Sequence, residues 1–233
     1  MTFASVLSGL KTLTEPVFKA VLGERLWRRL YWSAYTRLKE DAGYGRAYYL
    51  AIEEANRHCY LLFAQALVKE FHPATVVDVG CGAGGVSLAF MQAGCETVHG
   101  FDYSSQAMAL ARQRGLGSVR HIDLTSAERI PASGDLCICL EVAEHLPASC
   151  AARLCRLLAA TAPIVVITAA PPGQGGHLHV NEQPQEYWIH LMESFSMRYD
   201  RQSVERVRRV FDGHMIRDYD QNLMIFRRKD RSS

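Results

Sequence analysis

Hydrophobic positions change their period once along the chain. Up to about residue 70 they recur at helical spacing, first over residues 6–22 and again over 51–71. From Thr75 onward, short β-branched runs alternate with helical segments, which predicts strands near 75–79, 96–101, 118–122, 135–140, 163–168 and 222–227. Helices are predicted between them, near 84–93, 105–114, 148–160, 184–194 and 201–211. This alternation predicts a parallel, doubly wound sheet.

The same change of period divides the chain into two parts. We predict a helical N-terminal extension or lid over residues 1–70 and an α/β domain over residues 71–233. The chain has 233 residues, of which 48% are hydrophobic, and this is enough for one well-buried core plus an appendage. The net charge of +2 gives no indication of a nucleic-acid partner.

Residues 1–40 are basic and rich in aromatic side chains. They carry seven lysines and arginines against three glutamates, with Trp27, Tyr31, Trp32 and Tyr35 interleaved. Such an amphipathic segment is typical either of a lid packed on the domain or of a helix lying on a membrane surface. Both interpretations stay open, so peripheral membrane contact through residues 1–40 is an expectation to be tested.

Cysteine usage and hydropathy predict a cytoplasmic protein. Seven cysteines are present without a C-x-x-C pair, and several lie inside apolar runs, as expected of buried reduced thiols. No apolar run reaches the roughly 18 residues that a membrane span needs. Lys11, Glu15 and Lys19 interrupt the N-terminal segment, whereas a signal peptide has a continuous apolar stretch. The sequence gives no indication of the oligomeric state.

The most informative segment joins the first predicted strand to the helix after it. Residues 78–84 follow the pattern D-x-G-x-G-x-G, with glycines at Gly80, Gly82 and Gly84. Glycines allow a sharp turn and a close approach of the backbone to a ligand, and the helix N-terminus offers unpaired N–H groups. The pattern predicts a nucleotide-like ligand. The glycines alone also fit the G-x-G-x-x-G of nicotinamide-dependent dehydrogenases.

Acidic residues stand at the ends of three successive predicted strands. Asp78 ends the first strand and Asp123 the third. Asp102 ends the second, about 20 residues beyond the glycine turn, where a carboxylate can hold both hydroxyls of a ribose, and Tyr103 beside it can lie against an adenine. Each acid alone also fits a turn or a helix N-cap. Because open α/β sheets bind ligands at these strand ends, we interpret the three acids as one site.

These motifs together resemble those of class I S-adenosylmethionine-dependent methyltransferases. The resemblance implies a Rossmann-like, doubly wound, mostly parallel seven-stranded sheet with an antiparallel last strand. It also implies S-adenosylmethionine as the cofactor, with a set of contacting residues: Asp78, Gly80, Cys81, Gly82, Gly84, Asp102, Tyr103, Asp123, Leu124 and Glu141. A dehydrogenase is disfavoured, because Asp78 has no evident role in one.

The segment after the fourth predicted strand carries side chains suited to catalysis. Residues 141–146 read E-V-A-E-H-L, and in a helix Glu141, Glu144 and His145 fall at i, i+3 and i+4 on one face. Two carboxylates and an imidazole can orient an acceptor, remove its proton or bind a divalent metal. The segment resembles that of ubiquinone-pathway O-methyltransferases, and the resemblance places it where the methyl acceptor approaches the sulfonium.

Two further histidines lie in the glycine-rich loop after the fifth predicted strand. His177 and His179 alternate in an extended segment, so both can face the site. An E-x-x-E-H segment with a distal histidine also resembles small-RNA 2′-O-methyltransferases, which implies a divalent metal held by Glu141, Glu144, His145 and His179. In the alternative interpretation, Glu144 and His145 bind only each other and the backbone, and His179 is a general base or a loop anchor.

We favour His179 as the general base, with His145 and Glu141 as further catalytic candidates. A neutral histidine accepts a proton near neutral pH, and the glycines of residues 173–176 allow the loop to close over an acceptor. Residues 173–183 and 218–222 also resemble a bacterial methyltransferase subfamily, although Asp220 departs from its pattern.

The sequence therefore predicts methyl transfer to a small-molecule acceptor, at an oxygen of a sugar, glycolipid precursor or secondary metabolite. One alternative is a metal-assisted RNA ribose 2′-O-methyltransferase, which requires a basic track that the chain after residue 40 largely lacks. A non-enzyme alternative is an adaptor that binds S-adenosylmethionine or a membrane surface without catalysing a reaction.

Overall fold

The computed structural model of the protein describes residues 46–176, 179–211 and 217–229. Its helices are α1 (Arg46–Phe71), α2 (Gly85–Gln92), α3 (Ser105–Gln113), α4 (Ala151–Thr161), α5 (Gln185–Ser194), α6 (Arg201–Phe211) and α7 (Arg217–Asn222). Its strands are β1 (Thr75–Val79), β2 (Thr97–Asp102), β3 (Val119–His121), β4 (Leu136–Leu140), β5 (Ile164–Thr168), β6 (Met197–Tyr199) and β7 (Met224–Arg228). Two short 3₁₀ turns, Ala143–His145 and Ala148–Cys150, follow β4.

The strands form one seven-stranded sheet in the order β3-β2-β1-β4-β5-β7-β6. Strands β1 to β5 pair in parallel, and β7 is antiparallel to both of its neighbours. The predicted Rossmann-like fold with an antiparallel last strand is confirmed. Because the chain leaves β1 for β2 on one side and returns to β4 on the other, the order reverses beside β1, where open α/β sheets bind their ligands.

Both faces of the sheet are covered by helices, as the alternation along each strand requires. In β4 and β5, Ile138 and Val166 pack on the face covered by α1, α2 and α6, and the adjacent Cys139 and Ile167 pack on the face covered by α4 and α5. Consecutive side chains of a strand point to opposite faces, so a doubly covered strand requires apolar residues at consecutive positions. This explains why β4 reads as an unbroken buried run.

The N-terminal part of the chain is divided within α1. The chain divides after Tyr48, and the unit that begins at Tyr49 contains the whole sheet. The predictions made for residues 1–40, a lid or a membrane-surface helix, lie outside the described residues. Within the described ranges, no helix is long and apolar enough to cross a membrane. All seven cysteines lie in these ranges and none forms a disulfide.

Candidate active site

The glycine turn between β1 and α2 has the geometry that the sequence pattern predicts. Gly80, Gly82 and Gly84 all have positive φ, which side chains other than glycine rarely adopt. The N–H groups of Gly80 and Cys81 donate to the carbonyl of Phe101 at 2.7 and 3.0 Å and so fix the turn to β2. A Cβ on Gly80 would collide with Val142, so the turn lies directly against the segment after β4.

Asp102 lies where β2 ends and is joined to the glycine turn by hydrogen bonds. Its Oδ2 accepts the N–H of Gly82 at 2.8 Å, and its Oδ1 accepts the N–H of Ser104 at 2.8 Å. Burial raises the pKa of Asp102 above its ordinary value, although these N–H groups oppose the shift. The carboxylate is therefore fixed at the edge of the sheet, in the place predicted for a ribose contact.

Asp78 is a second buried carboxylate next to this turn. It is 3% exposed, and the Ser87 hydroxyl of α2 donates to its Oδ2 at 2.6 Å. Burial, with a smaller contribution from the charge of Asp102, raises the pKa of Asp78 to about 7 against the opposing effect of the Ser87 hydrogen bond. Two carboxylates beside the turn repel a pyrophosphate and favour a ligand with positive charge.

Asp123 is bound within its own turn after β3. Its Oδ1 accepts the N–H and the hydroxyl of Thr125 at 2.9 and 2.6 Å, and its Oδ2 accepts the hydroxyl of Ser126 at 2.9 Å. These contacts correspond to the turn interpretation, and the predicted adenine contact stays a prediction. The adjacent Leu124 is buried in the core on the α4 side of the sheet, and Tyr103 lies beside His121 with ring centroids 5.2 Å apart.

Glu141 is held in an unusual backbone conformation at the end of β4. Its φ is +52°, a left-handed value that is uncommon for a residue with a side chain and that clusters at functional sites. Its N–H donates to the hydroxyl of Thr168 at 2.9 Å, which ties this conformation to β5. Its carboxylate accepts from the side-chain amides of Gln174 and Asn222, each at 3.4 Å.

The predicted helical face for Glu141, Glu144 and His145 forms only in part. The 3₁₀ turn begins at Ala143, after the left-handed residue, so Glu141 lies outside it. Glu141 therefore accepts hydrogen bonds from Gln174 and Asn222 and is also an electrostatic neighbour of Glu144, whereas Glu144 and His145 lie with His179.

Glu144 is the most deeply buried carboxyl group near the site. It is 0% exposed, and among the described residues neither of its oxygens has a hydrogen-bond partner. Burial, and then the negative charge of Glu141, raise the pKa of Glu144 to about 9, so the group is protonated at neutral pH. A buried carboxyl without a partner is costly, and such groups often mark a functional or ion-binding position.

The loop after β5 is attached to this carboxyl-bearing turn through the backbone. The N–H groups of Val180 and Asn181 both donate to the carbonyl of Glu144, at 2.9 and 3.1 Å. This attachment brings His179 beside His145, with ring centroids 4.9 Å apart. One ligand atom from each of Glu144, His145 and His179 lies within 4.8 Å of the others. Three of the four residues predicted as metal ligands thus come together, and Glu141 is not among them.

Glu182 orients His179, a role that the sequence analysis missed. Its Oε1 is 2.9 Å from Nδ1 of His179. The N–H groups of Gly173 and Gly175 donate to the same carboxylate at 2.9 Å each, and with His179 as the largest effect they hold the pKa of Glu182 below its ordinary value. An ionised Glu182 accepts the proton on Nδ1 and leaves Nε2 as the basic nitrogen. His177 lies outside the described residues.

The family comparison agrees with this geometry. Residues 77–166 match the model of a methyltransferase domain, and these residues contain the glycine turn, Asp102 and the segment 141–146. Over these residues the chain is similar to a methyltransferase domain, and the sheet order is that of the predicted Rossmann-like fold.

Curated relatives match a part of the chain. The ubiquinone biosynthesis O-methyltransferase of Idiomarina loihiensis is 42% identical over 78 residues, which cover 31% of this chain and 32% of that protein. The enzyme of the same name from Pseudomonas paraeruginosa is 33% identical over 120 residues, 48% of this chain and 47% of that protein. The matched part of the chain spans less than half the length of these relatives.

Solved structures share the fold at low sequence identity. The sugar N-methyltransferase KedS8 from Streptoalloteichus has a TM-score of 0.59 and 15% identity, over 75% of this chain and 88% of that one. The magnesium protoporphyrin IX methyltransferase from Synechocystis, with bound S-adenosylhomocysteine, has a TM-score of 0.53 and 21% identity, over 82% and 91%. At these identities the likeness extends to the fold.

Proposed function

We propose that the protein transfers the methyl group of S-adenosylmethionine to an oxygen of a small-molecule acceptor. The observation that carries the proposal is the His179–Glu182 pair. Its loop is hydrogen-bonded to Glu144, in the same segment whose Val142 lies against Gly80 of the glycine turn. The methyltransferase-domain match over residues 77–166 supports the reaction class. The curated relatives named as O-methyltransferases support oxygen as the acceptor atom.

The reaction requires little covalent chemistry from the protein. The acceptor oxygen attacks the methyl carbon, the new C–O bond forms as the C–S bond breaks, and the bonding electron pair passes to sulfur to give S-adenosylhomocysteine. The protein positions donor and acceptor in line and removes the hydroxyl proton. Nε2 of His179 accepts this proton, and Glu182 stabilises the imidazolium that forms.

The acceptor class is the finer part of the proposal. Around Glu141 the described side chains are amides and carboxyls, namely Gln174, Asn222 and the buried Glu144. Such groups both donate to and accept from hydroxyls, so we favour a hydroxylated acceptor: a sugar, a glycolipid precursor or a hydroxylated secondary metabolite.

Calorimetric titration with S-adenosylhomocysteine, with NADH as the comparison ligand, tests the cofactor. We expect micromolar binding of the first alone, weakened at least about tenfold by Asp102→Ala through loss of a charge-assisted ribose contact. Binding of NADH instead, or equal affinity in Asp102→Ala, would contradict the site assignment.

Transfer of radiolabelled methyl from S-adenosylmethionine to a panel of glycosides and catechols tests the reaction. On any acceptor so found, His179→Ala should lower kcat about 100-fold or more, as expected for the loss of a general base, while S-adenosylhomocysteine affinity stays unchanged. Full turnover in His179→Ala would rule out the general-base role. An adaptor would bind the cofactor and keep its biological function in both His179→Ala and Glu141→Ala.

A metal-assisted reaction is the second candidate, and the Glu144–His145–His179 cluster is the observation that favours it. A buried carboxyl without a partner and two imidazoles form a donor set that suits a divalent transition ion. A bound ion would act as a Lewis acid that lowers the pKa of an acceptor hydroxyl. Because Glu182 binds Nδ1 of His179, Nε2 can serve as base or as ligand but not as both.

Metal analysis decides between the two candidates. Protein purified without chelator should contain a stoichiometric divalent ion, and chelation should abolish turnover, if the metal-assisted candidate is right. An RNA ribose acceptor would require in addition that short RNAs with free terminal hydroxyls are methylated. Absence of both ion and activation would leave His179 as the base.

Membrane contact through residues 1–40 is a proposal that rests on the basic and aromatic residues of this segment. Flotation of the full chain with vesicles containing anionic lipid, compared with neutral vesicles and with a chain lacking residues 1–40, tests it. Equal flotation in all three would dispose of the membrane role.

A further inference from the structure

Glu53 of α1 reaches the glycine turn from outside the segment that matches the methyltransferase family. Its side chain is 8% exposed. Its Oε1 accepts the N–H of Gly85, the first residue of α2, at 3.3 Å. Gly85 has no room for a side chain, because a Cβ there would collide with the Glu53 carboxylate. The carboxylate therefore occupies the N-terminus of α2, where backbone N–H groups otherwise lack acceptors.

Arg114 completes the contact from the end of α3. Its Nη1 lies 2.6 Å from Oε2 of Glu53 and donates to the carbonyl of Ala83 at 3.0 Å. The ion pair thus binds the carbonyl of Ala83 through Arg114 and the N–H of Gly85 through Glu53. These two groups stand on either side of Gly84, whose φ is +81°. One pair of side chains, 61 residues apart in sequence, fixes the backbone of the cofactor turn.

The position of Glu53 has a consequence for ligand choice. In dinucleotide-binding proteins with a similar turn, the N-terminus of this helix binds a pyrophosphate. Here an internal carboxylate takes that place, and Asp78 and Asp102 add two further acidic groups near the same turn. A phosphate would have to displace Glu53 and would be repelled by the remaining charges. A sulfonium or ammonium cation meets a favourable potential instead.

Resting on the proposed use of S-adenosylmethionine, we infer that Glu53, held by Arg114, is a specificity-determining residue of the cofactor site. Glu53 positions the turn, and its carboxylate occupies the N-terminus of α2, where a dinucleotide-binding protein binds the phosphates of its ligand. The turn is thereby selective for a nucleoside without phosphates.

Calorimetry on the full chain with S-adenosylhomocysteine and with ADP tests the inference, since both ligands carry adenosine and only ADP carries phosphates. The variants are Glu53→Ala and Glu53→Gln, and the matched control is Glu54→Ala, an exposed glutamate one position along the same helix. In both Glu53 variants we expect S-adenosylhomocysteine to bind about 3- to 10-fold more weakly and ADP to bind more tightly. The ratio of the two dissociation constants should shift about tenfold or more, an effect of at least one lost charge interaction. The control should leave the ratio unchanged.

A purely structural role predicts a different result. A loosened turn would weaken both ligands together and leave their ratio as in the wild type, and that outcome would overturn the inference. Glu53→Gln keeps the volume and an acceptor for the Gly85 N–H, so it carries the test if circular dichroism shows that Glu53→Ala is unfolded. Failure of the wild-type protein to bind S-adenosylhomocysteine would contradict the proposed function itself, which separates the two failures.

Discussion

Nδ1 of His179 and Oε1 of Glu182 are 2.9 Å apart, and the same carboxylate accepts the N–H groups of Gly173 and Gly175. A carboxylate with three such partners is fixed in place and ionised, so it determines which imidazole nitrogen carries the proton. This arrangement orients the imidazole of a loop histidine, because His179, Glu182 and both glycines belong to the same loop. Carboxylate–histidine pairs of this kind control both tautomer and orientation.

Glu182→Gln should lower turnover without weakening cofactor binding. The neutral amide can present its N–H to Nδ1, which favours the wrong tautomer and removes the charge that stabilises the imidazolium. We expect kcat to fall about 10- to 100-fold, with an unchanged dissociation constant for S-adenosylhomocysteine. Steady-state kinetics on an identified acceptor measure the first effect, and calorimetry measures the second.

Glu186→Gln is the control for this variant, because Glu186 is an exposed glutamate in the first turn of α5. It should behave as the wild type in both assays. If Glu182→Gln also kept full turnover, the tautomer would not depend on Glu182 and the proposed base would need another partner.

Gly176→Ala should displace His179 by steric contact alone. A Cβ at this position would collide with the imidazole ring, and the φ of Gly176 does not itself exclude a side chain. We therefore expect kcat to fall about tenfold or more, since misplacement by about 1 Å of a group that acts on the reacting atoms has effects of up to 100-fold. Cofactor affinity should be unaffected.

Gly117→Ala provides the comparison for Gly176→Ala, because a Cβ at Gly117 has no neighbour within 4 Å and no positive φ forbids it. Thermal unfolding of both variants should match the wild type. Equal turnover of the two variants would show that the His179 ring does not need its present position.

The affinity for S-adenosylmethionine should rise with pH through neutrality. Burial raises the pKa of Asp78 to about 7, so the carboxyl is mostly protonated at pH 6 and mostly ionised at pH 8. A cationic ligand favours the ionised form, lowers its pKa and releases a proton on binding. Calorimetry in two buffers of different ionisation enthalpy should detect this proton release near pH 7. The Asp78→Asn variant should bind the ligand without this proton release. A wild-type profile identical to that of Asp78→Asn would contradict the assignment.

The fold could be predicted from sequence where a strand extends over five or more residues or a helix over eight or more. The alternation from Thr75 onward located β1, β2, β4 and β5 to within one residue. The two elements that were missed are short: Met197–Tyr199 has three residues and Arg217–Asn222 has six. A strand of three residues shows a single alternation, and a helix of six has fewer than two turns, so neither produces a detectable period. The predicted last strand begins two residues too early, because the short helix α7, which was not predicted, extends to Asn222.

The site could be predicted only where its residues follow strand ends. Asp102 was located in this way, because the carboxyl ends of parallel strands meet at one edge of the sheet. Glu53 and Arg114 were missed, since their contact joins positions 61 residues apart and depends on how α1 packs. The left-handed conformation of Glu141 could not be predicted, because no local sequence pattern indicates a positive φ at a residue other than glycine. Glu141 is therefore not part of the group formed by Glu144, His145 and His179, so three of the four predicted metal ligands lie together.

Glu144→Gln distinguishes a protonated structural carboxyl from a metal ligand. In metal-free protein the pKa of Glu144 is about 9, above that of the unfolded chain, so the folded state binds this proton more tightly. Its stabilising contribution is complete below the ordinary glutamate pKa and is lost as the pH rises through 9. Gln has no such titration. Urea unfolding in the presence of chelator should therefore show a denaturation midpoint that falls more steeply from pH 6 to pH 9 in the wild type than in Glu144→Gln.

The same two proteins respond differently to metal if the cluster binds one. Added Mn²⁺ or Zn²⁺ should raise the wild-type midpoint at pH 8, because an ion that binds only the folded state stabilises it, and should leave Glu144→Gln unchanged. The ion would also take the place of the proton, since a ligating carboxyl must be ionised, and would flatten the wild-type pH profile. If neither metal shifts the midpoint while Glu144→Gln keeps full turnover, Glu144 acts as a neutral structural group and His179 remains the base.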